Sequence, residues 1–386
     1  MRITWVTRSF LDYRIPIYQE IDRLCRNQLT LIYNGEVVPE HLTDKMKEIL
    51  GARCIPMKGE IRLIGKKSNP VSSTKKGGSR IPIQPGLYKA LHESYPDVIL
   101  SDGFFQWTLP CVFYKMFHKK VKHVMCYEGW NHTERNVGKL NTTYRKFAKN
   151  YIDRICCNGT LSRDYVISLG FPEDKISLGN MAADTRFFAD ESSHISNEMK
   201  AEFRRNNHLN NVVYIFSGRL VQLKGIAELL EAWKEFSVGK EQLVSLLLVG
   251  DGPQRASLEH FCANNHLDNV VFAGKVPYTN LPLYYASSSV FVIPTLQDNW
   301  SLVVPEAMSC GLPILCSIYN GCYPELVTEG NGWTFNPLEQ QSIIEKLNES
   351  YNQRFAFDEM GTCSRDLVAG FAPDKIAELV FNACLG

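Results

Sequence analysis

The chain has 386 residues, 45% hydrophobic and 22% charged, with a formal net charge of +1. Those proportions are ordinary for a soluble globular protein and exclude a disordered or collagen-like chain, and the length favours two domains. No run approaches the ~20 apolar residues that span a bilayer.

The first residues, Met1-Arg2-Ile3-Thr4-Trp5-Val6, read as a β-strand and not as a signal peptide, because no long apolar core follows. The 12 cysteines, Cys25, Cys54, Cys111 and Cys126 among them, lie scattered in apolar or strand-like segments, with no Cys-x-x-Cys pair and no Cys/His metal spacing. Reduced, buried thiols and a cytoplasmic location are therefore expected. Charge is uneven: residues 1–190 hold 29 Lys and Arg against 19 Asp and Glu, and residues 191–386 hold 13 against 22. Either two domains attract one another, or the basic half faces an anionic membrane or lipid-phosphate acceptor at the cytoplasmic face of the inner membrane. No nucleic-acid partner is expected.

Strand-like and helical runs alternate from the start. Strands are expected over 3–7, 29–33, 97–101, 123–127 and 153–158, with helices over 16–26 and 109–117. This alternation predicts a mostly parallel sheet covered on both faces, with ligands beyond the carboxyl ends of its strands. Residues 58–80 break the pattern, with seven basic residues, one acid (Glu60), and many Ser and Gly. They read as a long mobile loop, either solvated or acting as an arm toward an anionic acceptor or membrane. The segment around Asn180 and Asp184 reads as the end of the first domain, and the polar residues 190–211 as a linker. Further strands are expected over 212–216, 246–249, 270–272 and 289–293, then 314–316, and an amphipathic helix over 373–384.

The chemistry concentrates in two stretches. Ser217-Gly218-Arg219-Leu220-Val221-Gln222-Leu223-Lys224-Gly225 lies between a strand and the expected helix 226–236. Gly218 permits a tight turn, and Arg219 and Lys224 lie beside a helix N-terminus, a combination suited to a diphosphate. The second stretch runs from Asp298-Asn299-Trp300-Ser301-Leu302 through Glu306 to Pro313. Its two carboxylates, Asp298 and Glu306, bracket a polar turn that opens an apolar helix, with Ser301 as the expected N-cap. A carboxylate inside an apolar helix needs a partner, and a ribose diol would serve.

These residues resemble the Gly-Arg-x5-Lys-Gly and Glu-x7-Glu signatures of the family-4 retaining glycosyltransferases. The resemblance covers residues 212–337 well and the N-terminal half more loosely. One departure is plain: the first acid is Asp298, one methylene shorter than Glu. The resemblance implies the GT-B fold, an α/β architecture of two Rossmann-like parallel-sheet domains facing a central cleft. An acceptor domain over 1–190 would be followed by a nucleotide-sugar domain over 191–370, with the terminal helix 371–386 packing back on the first. It implies transfer of a hexose-type sugar from a nucleoside diphosphate, most often UDP, to a glycan or lipid-linked hydroxyl. With no Asp-x-Asp motif in a credible metal setting, and with Arg219 and Lys224 able to replace a metal at the leaving diphosphate, metal independence is expected. No cofactor is needed besides the donor.

By carry-over, Arg219, Lys224, Asp298 and Glu306 form the catalytic set, with Glu306 on the ribose and Asp298 and Asn299 on the sugar. Gly218, Gly250, Gly252, Trp300, Ser301 and Leu302 would line the donor site, with Lys275 and Val276 at the base. On the acceptor side stand Tyr13 and Arg14, where the family's usual Gly-Gly is missing. The family often carries a His after the strand near residue 127. Here Glu128 is a candidate acceptor-binding carboxylate and His132 a candidate for that His, or neither acts. A non-catalytic nucleotide-sugar-binding homologue is the alternative reading. A dehydrogenase lacks its Gly-x-Gly-x-x-Gly fingerprint.

Overall fold

The computed structural model of the protein describes residues 1–63, 81–104 and 107–386. The chain divides into two compact units, residues 1–182 with 373–386, and residues 183–372. The expected boundary at 190/191 compares with an observed division at 182/183.

In the first unit the strands are β1 (Ile3–Val6), β2 (Leu29–Asn34), β3 (Cys54–Met57), β4 (Ile61–Leu63), β5 (Ile81–Ile83), β6 (Val98–Asp102), β7 (Lys122–Tyr127), β8 (Arg154–Cys157) and β9 (Ile176–Leu178). Seven of them form a parallel sheet in the order β3-β2-β1-β6-β7-β8-β9. Strands such as β1 and β6 are buried along their whole length, as a sheet covered on both faces requires. Helix Ile15–Leu24 starts at a proline and turns Ile17, Tyr18 and Ile21 inward. The last helix, Pro373–Leu385, belongs to this unit and packs against helix Ile15–Leu24. Lys122 Nζ also reaches the Cys384 carbonyl at 3.4 Å.

The expected loop over 58–80 begins and ends in a two-stranded antiparallel hairpin, in which Ile61 pairs with Ile83. Residues 64–80 lie outside the described residues. The one acid of the segment, Glu60, accepts from two nitrogens of Arg8, Nε at 2.7 Å and Nη2 at 2.8 Å, and from the Trp107 indole N–H at 3.0 Å.

The second unit contains β10 (Val212–Ser217), β11 (Val244–Val249), β12 (Val270–Gly274), β13 (Val290–Ile293), β14 (Ile314–Ser317) and β15 (Gly332–Phe335). They form a parallel sheet in the order β12-β11-β10-β13-β14-β15. Helix Ile226–Phe236 occupies the expected residues, with Leu229, Leu230, Trp233 and Phe236 buried.

The expected linker over 190–211 is instead mostly helical and belongs to this unit. Helix Thr185–Ser193 is capped by the Asp184 carboxylate, which accepts from Phe187 N at 3.3 Å. Helix Asn197–Asn206 is capped by Ser196, which accepts from Met199 N at 3.3 Å. The composition is polar, but two capping residues and two buried aromatics, Phe188 and Phe203, outweigh it. Of the twelve cysteines ten are buried, Cys310 is half-buried and Cys363 exposed, all as free thiols. Among the described residues no helix is long and apolar enough to cross a membrane.

Candidate functional site

Each parallel sheet has a point where its strand order reverses, and that is where such sheets bind ligands. In the second unit it lies between β10 and β13. Both chemistry-bearing stretches follow these two strands.

After β10 the chain turns at Gly218 and presents Arg219, which is exposed. Residues Gln222–Lys224 make a short 3-10 turn, and Gly225 then enters helix Ile226–Phe236 with φ +68°. A Cβ on Gly225 would stand 2.0 Å from the Pro294 carbonyl oxygen, so only glycine lets this turn touch the loop after β13. Two hydrogen bonds fix the contact: Leu296 N to the Leu223 carbonyl at 2.9 Å, and Thr295 Oγ1 to the same carbonyl at 2.9 Å. The loop after β13 is held on its other side by β14, whose Ser317 Oγ donates to the Thr295 carbonyl at 2.6 Å. Asp298 N donates to the Tyr319 carbonyl at 3.1 Å, and Gly321 N to the Asp298 carbonyl at 3.2 Å.

This bracing delivers Asp298 to Lys224, and the two side chains form an ion pair. Oδ2 of Asp298 also accepts from Ser301 Oγ at 2.6 Å, and Oδ1 from Trp300 N at 3.3 Å. Ser301 is therefore not the N-cap expected from its position. Its hydroxyl serves the carboxylate, and helix Val303–Ser309 starts two residues later without a side-chain cap. Asn299 and Leu302 are half-buried in this turn, and Trp300 is buried.

Glu306 is buried in that helix, and its Oε2 accepts from the Tyr285 hydroxyl at 3.2 Å. Its carboxyl is held up at about 8, raised chiefly by burial and also by the Asp184 carboxylate, and lowered in part by the Tyr285 hydrogen bond. Ser217, at the end of β10, also acts on the Tyr285 hydroxyl, lowering its otherwise raised pKa. Tyr285 and Ser217 were not legible as site residues. Tyr285 lies in an aromatic-rich helix, Leu281–Ala286, whose apolar pattern reads as core.

The turn after β11 carries Gly250 and Gly252, and its backbone lies against Gly218 and Leu220. Gly250 has φ +131°, and a Cβ there would stand 1.9 Å from the Gly218 carbonyl oxygen. Gly250→Ala is therefore expected to cost about 2–5 kcal/mol of stability, combining strain with overpacking against backbone, and to displace the Arg219 turn. Urea unfolding and nucleotide titration of the variant check this. Lys275 is exposed and Val276 half-buried just beyond β12. Among the described residues no group of three or more His, Cys, Asp or Glu side chains is placed to hold a metal ion.

In the first unit the strand order reverses between β1 and β6. There Arg14, in the turn Asp12–Arg14, is buried with its guanidinium among the ends of several strands. Its Nη2 stands 3.5 Å from Asp102 Oδ1 and 3.8 Å from Glu128 Oε1. Its Nη1 is 3.3 Å from both Oδ1 and the carbonyl oxygen of Asn180. Trp5 packs under the cation at 5.5 Å and donates its indole N–H to Asp102 Oδ1 at 3.1 Å. A buried charge needs such partners. The structure thus joins Arg14 with Glu128 and adds Asp102, Asn180 and Trp5. Asp102 ends a buried strand, which was the one available signal. Tyr13 is half-buried in the same turn. The His132 ring stacks on Trp130 with centroids 5.4 Å apart.

Two parallel α/β units, each with polar groups gathered at a sheet's reversal point, define a two-unit, Rossmann-like class of protein. Residues 198–362, all within the second unit, match the family model described as glycosyl transferases group 1. Sulfoquinovosyl transferase SQD2 of Arabidopsis thaliana is 26% identical over 213 residues, 54% of this chain and 39% of that protein. The capsular polysaccharide biosynthesis glycosyltransferase CapM of Staphylococcus aureus is 24% identical over 221 residues, 56% of each. The chain thus spans about half the length of the curated relatives it matches, or less. Across nearly the whole chain the fold is that of the Anabaena protein HepE, crystallised in complex with UDP and glucose, with a TM-score of 0.74 and 16% identity, covering 99% of this chain and 98% of that one.

Proposed function

We propose that the protein is a retaining, GT-B, family-4 glycosyltransferase. It would move a hexose-type sugar from a nucleoside-diphosphate sugar, UDP-linked by preference, to a hydroxyl of a glycan or lipid-linked acceptor in cell-surface polysaccharide or glycoconjugate synthesis. The observation that carries this is the Lys224–Asp298 ion pair at the reversal point of the second sheet, on the same two stretches that carry Arg219 and Glu306. The CapM relative and the UDP complex of the HepE fold agree with it.

In this reading Arg219 and Lys224 hold the diphosphate beside the start of helix Ile226–Phe236, and Glu306 takes the ribose hydroxyls. Gly218, Gly250 and Gly252 let backbone approach the nucleotide, and Lys275 and Val276 border the base. As the bond from sugar C1 to the phosphate oxygen breaks, negative charge grows on the phosphate, and preorganised cations stabilise it. The acceptor oxygen bonds to C1 from the same face, and its proton passes to the departing phosphate oxygen, which retains the configuration. The first unit supplies the acceptor side through Arg14 and Glu128. Its 29 Lys and Arg against 19 Asp and Glu suit a phosphorylated acceptor at the cytoplasmic face of a membrane.

The test is a thermal-shift panel of UDP-, GDP- and ADP-sugars, followed by donor hydrolysis and transfer assays on the best ligand. UDP-sugars are expected to raise the melting temperature most. Protein that binds the donor but neither hydrolyses nor transfers it would be a binding homologue and not an enzyme. Because two cations already face the leaving diphosphate, activity is expected to persist in excess EDTA. Loss restored by Mg²⁺ or Mn²⁺ would overturn that part of the reading.

A further inference from the structure

The Lys224–Asp298 ion pair raises a question that the donor-site reading leaves open. The cation assigned to the diphosphate is already held by the carboxylate assigned to the sugar. The pair is not a loose surface contact. Its side chains are 20% and 18% exposed. The residue before Lys224 is tied to Thr295 and Leu296 by two hydrogen bonds, and Asp298 is tied to Tyr319 and Gly321 by two more. Both backbones are thus fixed before any ligand arrives. Asp298 Oδ2 carries both Lys224 and Ser301, and Oδ1 carries Trp300 N.

We propose that donor binding exchanges this pair: Lys224 leaves Asp298 for the diphosphate, and the released Asp298 oxygen takes hydroxyls of the sugar. Asp298 is then a specificity-determining residue that favours the intact nucleotide sugar over the bare diphosphate product. With an intact donor, Asp298 exchanges a cation for hydroxyl donors. With the product diphosphate it loses the cation, gains nothing, and stands as a second negative charge beside the phosphates. The short Asp side chain suits this role, since it stays within reach of Lys224 and of Ser301 at once. The inference rests on the donor-site reading above.

Calorimetric titration of the full chain with UDP and with UDP-glucose tests it. Wild type, Asp298→Asn, Lys224→Met and the double variant are compared, with urea unfolding as a check on the fold and Asp298→Ser as a second neutral variant. Asp298→Asn is expected to bind UDP roughly three- to tenfold more tightly, as befits removing one negative charge beside a diphosphate in a partly solvated site. The same change is expected to leave UDP-glucose affinity unchanged or lower, so the preference for donor over product collapses. The gain for UDP should be larger with Lys224 present than in the Lys224→Met background, because only then is an ion pair broken on binding. Equal gains in both backgrounds would mean that Lys224 never leaves Asp298, and the exchange would be wrong. Unchanged or weaker UDP binding in both neutral variants would also overturn it. A wild-type protein that binds neither ligand would instead remove the donor-site reading itself.

Discussion

Lys224→Ala and Arg219→Ala are each expected to lower the transfer rate by about 10²–10³-fold, the usual loss when one donor to a developing anion is removed. The two changes should differ in their side effects. Arg219 is exposed, so its loss should leave stability within about 0.5 kcal/mol of wild type. Lys224 is the ion partner of Asp298, and its removal takes that cation away from a partly buried carboxylate. A measurable loss of stability is therefore expected for Lys224→Ala alone. Transfer kinetics and urea unfolding of the two variants check this. Near-normal turnover in both would remove the diphosphate from this turn.

Glu306 should make the second unit's stability depend on pH. Its carboxyl is pushed up to about 8 by burial, against an ordinary value of 4.5. For an acid whose value is raised by folding, the stability contribution is complete below the unfolded value and is lost as pH rises toward the folded one. The loss should therefore run from about pH 4.5 to about pH 8 and stop there. At ~1.4 kcal/mol per unit it amounts to about 3–5 kcal/mol. Glu306→Gln keeps the shape and cannot ionise, so its stability should match wild type near pH 4.5 and exceed it increasingly up to pH 8. The same variant should bind the nucleoside diphosphate more weakly, since the ribose loses its carboxylate partner. Urea unfolding at stepped pH, with UDP titration alongside, reads both. A flat difference across that range would mean that the buried carboxyl ionises freely.

Much of this architecture was legible in advance because it is written locally. Buried apolar runs separated by amphipathic ones announce a parallel sheet with covering helices, and helix Ile226–Phe236 stands on the expected residues. The Gly218-Arg219 and Lys224-Gly225 spacing marks a strand-to-helix turn with two cations, and the fold puts that turn at a sheet's reversal point. The polar composition of residues 190–211 reads as linker, but local caps make most of it helical. Asp184 and Ser196 each start a helix, and the first of these lays Phe188 beside Tyr285 at 5.8 Å and sets Asp184 near Glu306.

The sequence by itself determined the elements, the glycines at the turns and the types of charged residue available for a diphosphate, because these depend on periodicity and backbone freedom within a few residues. Only the tertiary structure decided which charges meet. Lys224 and Asp298 are 74 positions apart, Tyr285 and Glu306 are 21, and Arg14 and Asn180 are 166. Such pairings follow from strand order and from how neighbouring loops brace one another at the carboxyl ends of a sheet. That order is set by the packing of whole elements, which leaves no periodic trace in the residues it brings together.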